Sequence, residues 1–462
     1  MQIFADTARL PTGWAKDVRI TVETGIIRAV QPQSAPVAGD LRVDTLLPAL
    51  PNLHSHSFQR AMAGMSEYRA KDRESFWTWR ELMYRFLDQL RPQDIQAIAA
   101  MTFMEMQKAG YASVGEFHYL HHGAGGRPYD DVAELSVQII EAAAETGIGI
   151  THLPVLYTYG GVEQAVLSGG QLRFGNTLER YHRLHEACAH HLTLLPSDAK
   201  LGVAAHSLRA VSPEDLGALV GDDAKTPLHI HISEQTKEVE DITSAYGSRP
   251  VEWLLNHYDV GARWCLIHAT HMTVSETRAL AQTGATVGLC PITEANLGDG
   301  IFNGPEFVAA GGHYGVGSDS NINISLTEEL RTLEYSQRLN QRERNVMTKG
   351  AGSTGEALYL SAAKGGAQAL GRACGAIEVG QLADLVAIDR NDPALFALSD
   401  EQLLDGLVFA AKDQVVSDLW SAGRHVVREG RHINGPQVTA RYRQCVHDLK
   451  DCLLYTSPSP RD

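Results

Sequence analysis

The chain has 462 residues, which suits either one large barrel domain with a smaller domain attached or about three ordinary domains. Hydrophobic residues make up 44% and charged residues 21%, a globular composition that excludes a disordered chain. The 40 basic and 55 acidic residues leave a net charge of −15, so we expect neither a nucleic acid nor an anionic membrane surface as a partner.

Two further features of the sequence bear on location. No apolar run reaches the ~20 residues of a membrane span, and the first residues lack the pattern of a signal peptide. The six cysteines are scattered without a CxxC pair, which favours a reducing compartment over a disulfide framework. We therefore predict a cytoplasmic protein that is not attached to a membrane.

Short strands are predicted at both ends of the chain. Apolar and polar side chains alternate at Val18, Ile20 and Val22, and similar short strands return after Gly375. We expect residues 1–47 and 375–430 to pair into one small β-sandwich domain. Residues 431–462 are expected to form a C-terminal helix and a disordered tail, because the last stretch is polar, rich in Pro and Ser, and aperiodic.

Between these ends, buried strands alternate with amphipathic helices, a pattern typical of a parallel sheet with crossover helices. The predicted strands are Leu46–Leu53, Ala112–Phe117, Ile148–Leu156, Leu201–Ala205, Pro227–Ile232, Trp264–Ile267, Thr286–Cys290 and Tyr314–Gly317. The predicted helices include Ile95–Lys108, Val132–Glu145, Leu178–His190 and Ser275–Gln282. Eight strand–helix units predict a closed (β/α)8 barrel over residues 48–374.

Several side chains at the ends of the predicted strands are candidate metal ligands. His54 and His56 lie two residues apart after the first barrel strand, so both rings point to the same side. His231 ends the fifth strand, His268 follows the sixth and Asp319 follows the eighth. Because the carboxyl ends of all barrel strands meet at one face, we expect these side chains to converge there around a divalent cation.

Other polar residues near these strands have different interpretations. Glu234 comes three residues after His231 and is a candidate proton shuttle above the metal. We expect His229 to be a hydrogen-bonded core residue and His271 to lie in a loop. His121 and His122, at the end of the segment HYLHH, are expected to lie in a polar loop.

The site is expected to hold one metal ion. The third and fourth barrel strands contain no lysine, and Lys200 precedes its strand at the opposite end of the barrel. No spare strand-end carboxylate is evident either, and a second metal would usually need a bridging anionic ligand. The predicted ligands are His54, His56, His231 and Asp319, with water completing the shell.

These residues together resemble the amidohydrolase superfamily, in which a metal-dependent distorted barrel carries a β-sandwich made from both chain ends. The resemblance covers residues 46–389 and includes the closing block GAIEVGQLADLV, which starts at Gly375. The resemblance implies the fold class α/β, with a distorted (β/α)8 barrel and a small β-sandwich domain. The third and fourth strands lack the lysine, and an HxxE motif follows the fifth strand. In both respects the sequence resembles the superfamily's branch of deaminases and iminohydrolases.

Longer blocks narrow the resemblance. The segment that starts at Pro51 (PNLHSHSFQRAMAGMSEYRAKDRESFWTWRELMYRF) and the blocks GEFHYLHH, AAHSLRAV, HIHISEQTKEVED and GLCPITEANLGDGIF are similar to members that act in histidine degradation. Those members hydrolyse N-formimino-L-glutamate to N-formyl-L-glutamate and ammonia. The resemblance therefore implies a small anionic amidine substrate, one divalent metal per chain (Zn²⁺, with Fe²⁺ as the alternative) and a homodimer.

The resemblance also implies a role for individual residues. The implied catalytic residues are Glu234, His268 and Asp319, and the implied substrate-binding residues are Gln59, Arg80, Tyr119, His206 and Arg209. Arginine suits the recognition of carboxylates. Without the resemblance, Arg80 would be an ordinary helix arginine packed on Trp77 or Trp79, and these two rings with Phe86 are expected to form a helix core.

Two alternatives stay open at this point. One is an aminohydrolase of a nucleobase or an S-adenosyl compound, whose ring-binding pocket would not need two arginines. The other is a non-catalytic scaffold that contains a metal and binds a partner, against which the intact ligand set and Glu234 argue.

Overall fold

The computed structural model describes residues 1–67, 69, 75–222 and 225–456. The last residues of the predicted disordered tail, 457–462, lie outside the described residues. Among the described helices, none combines the length and the apolar character that crossing a bilayer requires.

The elements alternate between strand and helix through the middle of the chain. The strands are β1 (Gln2–Leu10), β2 (Gly13–Glu23), β3 (Ile26–Gln31), β4 (Leu41–Pro48), β5 (Leu50–Ser55), β6 (Tyr111–His118), β7 (Gly149–Leu156), β8 (Lys200–Leu201), β9 (Val203–Ser207), β10 (Leu228–Ile232), β11 (Trp264–His268), β12 (Thr286–Leu289), β13 (His313–Val316), β14 (Leu385–Ile388), β15 (Val416–Ser421), β16 (Arg424–Arg428) and β17 (Arg431–His432). The α-helices are α1 (Phe76–Leu87), α2 (Pro92–Ala109), α3 (Glu134–Thr146), α4 (Leu178–Leu192), α5 (Pro213–Asp222), α6 (Thr236–Tyr246), α7 (Pro250–His257), α8 (Val274–Ala281), α9 (Pro291–Leu297), α10 (Gly304–Ala309), α11 (Leu326–Gln341), α12 (Thr354–Ala369), α13 (Asp400–Phe409) and α14 (Gly435–Thr456).

Eight parallel strands form the barrel in the order β5, β6, β7, β9, β10, β11, β12 and β13, and the short β8 pairs with β7. The barrel closes between the end of β5 and the turn after β13, where Ser55 and Asp319 form a parallel bridge. The His56 N–H donates to the Asp319 carbonyl at 3.0 Å, and the Asp319 N–H donates to the His54 carbonyl at 3.0 Å. The predicted α/β barrel is therefore confirmed, and candidate site residues close it.

The predicted strand Leu46–Leu53 is wrong in one respect, because two strands share this segment. The chain leaves the terminal sheet at Pro48, the end of β4, and enters the barrel at Leu50, the start of β5. Between them the Ala49 N–H donates to the Asp384 carbonyl at 3.0 Å. Both strands are buried here, so the apolar run continues across the break and hides it.

The strands from the two chain ends form one continuous sheet in the order β17, β16, β15, β14, β4, β1, β2 and β3. Only the β1–β4 pair in it is parallel. Ile3, Ile20, Leu385 and Trp420 belong to a core separate from that of the barrel. This is the predicted small β-domain, and its limits at residues 47 and 375 stay a prediction.

A buried cluster of ion pairs connects the terminal sheet to the barrel. The Arg372 Nη2 donates to Asp198 Oδ2 at 3.1 Å and to Asp384 Oδ2 at 3.2 Å. Arg424, on β16, donates from Nη1 to Asp198 Oδ1 at 2.6 Å. Asp198 lies just before β8, so the cluster joins the amino-terminal end of the barrel to the sheet.

Candidate metal centre and active site

Three histidine rings meet at the carboxyl end of the barrel strands. His54 and His56 come from the end of β5, and His231 comes from the end of β10. The His54 and His231 Nε2 atoms are 3.1 Å apart, and one ring nitrogen from each of the three residues lies within 4.8 Å of the others. The pair spacing that the sequence shows thus brings both rings to one point.

Asp319 completes this group from the turn after β13. Its Oδ1 atom is 3.3 Å from His56 Nε2 and 3.6 Å from His54 Nε2. The structure therefore brings all four predicted metal ligands together, although their positions in the sequence are far apart.

The protonation of these histidines suits a metal. The far nitrogen of His56 donates to the Phe117 carbonyl at 2.9 Å, and that of His231 donates to the His206 carbonyl at 2.9 Å, so the Nε2 lone pairs face each other. Burial lowers the pKa of His56 to about 3 and the pKa of His54 and His231 well below its ordinary value. Neutral imidazoles with a carboxylate are a ligand set that fits a divalent cation.

A hydrogen-bonded network fixes the turn that carries Asp319. The Asn52 side chain donates to Ser318 Oγ at 2.7 Å, and Ser318 Oγ donates to Asn321 Oδ1 at 2.6 Å. Asn321 Nδ2 donates to the Asp319 carbonyl at 2.9 Å. These bonds hold Asp319 at a φ of 46°, a left-handed conformation that non-glycine residues rarely adopt.

Glu234 and His268 lie beside the four candidate ligands. The His268 Nε2 is 3.8 Å from Glu234 Oε1 and 3.8 Å from Asp319 Oδ2. The N–H groups of Ser233 and Glu234 donate to the buried Glu238 carboxylate at 3.2 and 3.0 Å, which fixes the turn after β10. Glu234 thus reaches the metal centre without belonging to the ligand set.

Burial sets the acid–base character of these two groups. It raises the pKa of Glu234, which favours the protonated form of this side chain. For His268, burial opposes the charged form, but the carboxylates of Glu234, Glu294 and Asp319 raise its pKa to about 10. The protonated form is therefore favoured in both of these neighbouring side chains.

A cavity with about 590 Å³ of empty space opens above these residues. All five predicted substrate-binding residues line it, namely Gln59, Arg80, Tyr119, His206 and Arg209. The same cavity contains Glu234, His268 and Asp319. Catalytic and substrate-binding candidates thus share a single cavity.

The two arginines of the cavity surround one tryptophan. The guanidinium carbons of Arg80 and Arg209 lie 4.5 and 5.8 Å from the Trp77 ring centroid. Within the part of the chain that the structure describes, neither guanidinium forms an ion pair with a carboxylate, and the buried Nε of Arg209 has no hydrogen-bond partner. The helix-core prediction holds for the buried Phe86 and for Trp79, which packs against the same core and also lines the cavity. It is wrong for Trp77, which is half-buried beside the arginines.

Gln59 and Tyr119 form a polar pair on the cavity wall. The Gln59 Nε2 donates to the Tyr119 hydroxyl at 2.8 Å. The buried Gln59 Oε1 has no partner among the described residues and is available to accept a hydrogen bond from a ligand. An N–H group of an amidine matches this acceptor.

The remaining histidines lie in the core or in loops, where the sequence predicts them. His229 is a core residue, as predicted, with a ring nitrogen that donates to the Ala369 carbonyl at 2.8 Å. His271 lies in the predicted loop. His121 and His122 lie in the predicted loop after β6, but both are buried and hydrogen-bond to backbone carbonyls at 2.9 and 2.7 Å.

The sequence reasoning missed two buried carboxylates beside the site. Glu294 contacts His268, and Asp299 accepts a hydrogen bond from Gln235, the residue after Glu234. Spare carboxylates therefore lie near the site, although neither comes from the end of a strand. Both residues come after β12, but Glu294 projects from a short helix and Asp299 from the loop that follows it, so a search of strand ends does not find them.

Comparison with known proteins agrees with this geometry. The model described as "Amidohydrolase family" matches residues 45–426. The model described as "Formimidoylglutamate deiminase HutF, N-terminal domain" matches residues 1–44. The chain belongs to the amidohydrolase family.

The similarity to individual relatives extends along nearly the whole chain. A protein of Pseudomonas aeruginosa named formimidoylglutamate deiminase is 46% identical over 97% of this chain and 99% of its own length. A crystal structure of an amidohydrolase from Brucella melitensis has a TM-score of 0.93 and 45% identity, covering 97% of this chain and 99% of that one. A 5-methylthioadenosine/S-adenosylhomocysteine deaminase of Natronomonas pharaonis is 27% identical over 89% of this chain and 88% of its own length.

Proposed function

We propose that this protein is a formimidoylglutamate deiminase, which hydrolyses N-formimino-L-glutamate to N-formyl-L-glutamate and ammonia. One observation carries the proposal: two arginines with no carboxylate partner among the described residues line the same cavity as candidate metal ligands and Glu234. A dicarboxylate with an amidine head matches both ends of this cavity. The 46% identity to the Pseudomonas aeruginosa protein of that name supports the same substrate.

The metal ligands of the proposal are His54, His56, His231 and Asp319. A divalent cation supplies a nucleophile at neutral pH, because it lowers the pKa of a water molecule from 15.7 toward ~7. We propose Zn²⁺ in this site, with Fe²⁺ as the alternative, since nitrogen and oxygen ligands suit both.

The chain's own acid–base groups then move the protons of the reaction. The oxygen of water adds to the amidine carbon, and the Asp319 carboxylate accepts the proton that the water loses. Glu234 delivers a proton to the leaving nitrogen, and the carbon–nitrogen bond breaks. Ammonia departs as the formyl C=O forms, and the proton of the hydroxyl on that carbon returns to Glu234. The His268 ring donates a hydrogen bond to the attacking oxygen while the carbon is tetrahedral.

Substrate orientation depends on the other end of the cavity. Arg80 and Arg209 are placed to bind the carboxylates of the glutamyl tail in charge-assisted pairs. Gln59, Tyr119 and His206 lie nearer the metal ligands and are proposed to hold the amidine head or one carboxylate. Among the described residues neither guanidinium pairs with a carboxylate, so no internal partner competes with the substrate for them.

We propose further that the enzyme works as a cytoplasmic homodimer in histidine degradation. The resemblance of the long sequence blocks supports this placement. The negative net charge of −15 fits a small-molecule enzyme with no nucleic acid partner.

The test is ammonia release by purified enzyme of measured metal content. The panel contains N-formimino-L-glutamate, a neutral formamidine, adenosine and 5′-methylthioadenosine. We expect turnover of the dicarboxylate and none of the two nucleosides. Metal-loaded enzyme that releases no ammonia from N-formimino-L-glutamate would contradict the proposal, and turnover of a nucleoside would favour the aminohydrolase alternative.

A charge variant sharpens the same test. Arg209→Met should lower kcat/KM for N-formimino-L-glutamate by about 100-fold or more, because a buried charge-assisted pair is lost. The neutral formamidine should be turned over at an unchanged rate. Arg278→Met is the matched control, since Arg278 is exposed and pairs with Glu306 on the outside of the barrel.

A further inference from the structure

Glu294 is a buried acid that no step of the proposed mechanism uses. It lies in the short helix α9 and is 7% exposed. Its Oε1 atom is 3.2 Å from His268 Nδ1 and accepts the Cys290 N–H at 2.9 Å. It is not among the described residues that line the cavity, so its contact with the site runs through His268.

We propose that Glu294 is a positioning residue that fixes the orientation of the His268 ring. A carboxylate only accepts hydrogen bonds, so His268 Nδ1 is the donor in this contact. The opposite nitrogen, Nε2, then faces Glu234 and Asp319, each at 3.8 Å. The role assigned to His268 rests on the proposed function.

The His268 ring needs such a partner because little else holds it. Among the residues that the structure describes, Glu294 alone forms a hydrogen bond with this ring. The residue ends β11 at a φ of 68°, so its backbone already adopts a left-handed conformation that is rare for non-glycine residues. Without Glu294 the ring can turn and present the wrong nitrogen to the cavity.

Glu294 is itself held in place at both ends. Its own N–H donates to the Cys290 carbonyl at 2.8 Å, and its carbonyl accepts the Asp299 N–H at 2.9 Å. The backbone is therefore fixed on both sides of the carboxylate, which is the arrangement expected of a group that orients another side chain.

A purely structural alternative must be separated from this role. The same Oε1 atom accepts a backbone N–H at the start of α9, so Glu294 could matter only as a helix cap. A cap acts independently of His268, whereas a positioning residue acts through it. A double-mutant cycle distinguishes the two.

The experiment compares Glu294→Leu, Glu294→Gln, His268→Asn and the double variant His268→Asn/Glu294→Leu. We expect Glu294→Leu to lower kcat about 10- to 100-fold, as for other residues that orient a functional histidine, with KM within about twofold of the wild type. Glu294→Gln should retain most of kcat because its amide oxygen accepts the same two hydrogen bonds. Adding Glu294→Leu to His268→Asn should cause no further loss.

Metal content and melting temperature are measured for every variant, and Glu306→Leu is the matched control on the neighbouring helix α10. Independent losses in the double variant, or a Gln variant as impaired as the Leu variant, would overturn the proposal. Nitrogen NMR of the histidine rings adds a readout that needs no turnover, with the His268 signal assigned by its absence in His268→Asn.

In the NMR measurement we expect a protonated Nδ1 in the wild type and a changed ring signal in Glu294→Leu. An unchanged His268 signal in Glu294→Leu would overturn the proposal even if no substrate is known. A wild type that fails to release ammonia from N-formimino-L-glutamate contradicts the proposed function alone, because the NMR result does not depend on it.

Discussion

Burial determines which side chains of the candidate site carry protons. The three histidines of the proposed ligand set are kept neutral because their pKa values fall when the rings are buried. Burial has the opposite effect on Glu234, whose pKa rises, so this acid can hold a proton at the pH at which free glutamate is ionised. The same low-polarity surroundings therefore prepare both the metal ligands and the proton donor.

Replacing Glu234 tests its role directly. We expect Glu234→Gln to lower kcat about 10²- to 10⁴-fold, because the amide has nearly the same shape but cannot transfer the proton. Metal content should stay at the wild-type level, since Glu234 is outside the ligand set. Glu240→Gln, an exposed acid on α6, is the control, and equal activity of the two variants would remove Glu234 from the mechanism.

At the residue level, the sequence predicts the side chains that leave the ends of barrel strands. His54, His56, His231 and Asp319 follow this rule, because all strand ends of a parallel barrel point to one face. Glu294 does not follow it, since it enters from a helix and its contact with His268 depends on how that helix packs. The sequence did not predict the burial of His121 either, because a polar loop side chain can be buried when a backbone carbonyl accepts its hydrogen bond.

Among the elements, the closure between β5 and the end of β13 is the tightest contact of the site. Gly317 follows β13 and packs against the backbone of His54. A Cβ atom added at Gly317 would lie 2.7 Å from the His54 nitrogen and from its carbonyl oxygen. Even the smallest side chain there must push the two ends of the barrel apart.

We therefore expect Gly317→Ala to lower the free energy of unfolding by about 1–3 kcal/mol, the usual cost of overpacking. It should also weaken metal retention, because His54 moves with the strand. Thermal unfolding and metal content after gel filtration measure both effects. Gly352→Ala is the control, since a Cβ at Gly352 meets no atom within 4 Å, and equal results for the two variants would contradict the prediction.

The elements themselves were largely predictable because each barrel strand is a short apolar run between amphipathic helices. Helix ends were marked by glycine: α2 ends before Gly110 and α3 ends before Gly147, with φ values of 105° and 72°. The prediction failed where Leu46–Leu53 passes from one sheet into another. Hydrophobicity reports burial, and it does not report which sheet a buried strand joins.

On the scale of the whole molecule, the Asp198 cluster connects the barrel to the terminal sheet. We expect Asp198→Asn to lower the free energy of unfolding by about 1–3 kcal/mol, because Arg424 loses its carboxylate partner and Arg372 keeps only Asp384. Urea unfolding measures this loss. Asp241→Asn breaks only the exposed pair with Lys237 and should cost less than about 1 kcal/mol, and a comparable loss in both variants would contradict a special role for the cluster.

The same cluster makes the free energy of unfolding depend on pH. Burial tends to raise the pKa of Asp198, but hydrogen bonds and charges from Arg424 and Arg372 bring it below its ordinary value. Its contribution is therefore present above the ordinary pKa of about 3.9 and is lost as the pH falls through the lower pKa of the folded state. Between pH 5 and 3 the wild type should lose more stability than Asp198→Asn.

The bridge between Ser55 and Asp319 also has a consequence for biosynthesis. His54 and His56 leave the ribosome long before Asp319, the last member of the proposed ligand set. With these ligands, the nascent chain could not bind a cation tightly until the eighth barrel strand has been translated. The edge of β4 stays unpaired even longer, until β14 has been translated. Truncated translation products should consequently emerge both metal-free and with an open sheet edge, the kind of species that aggregates or is degraded.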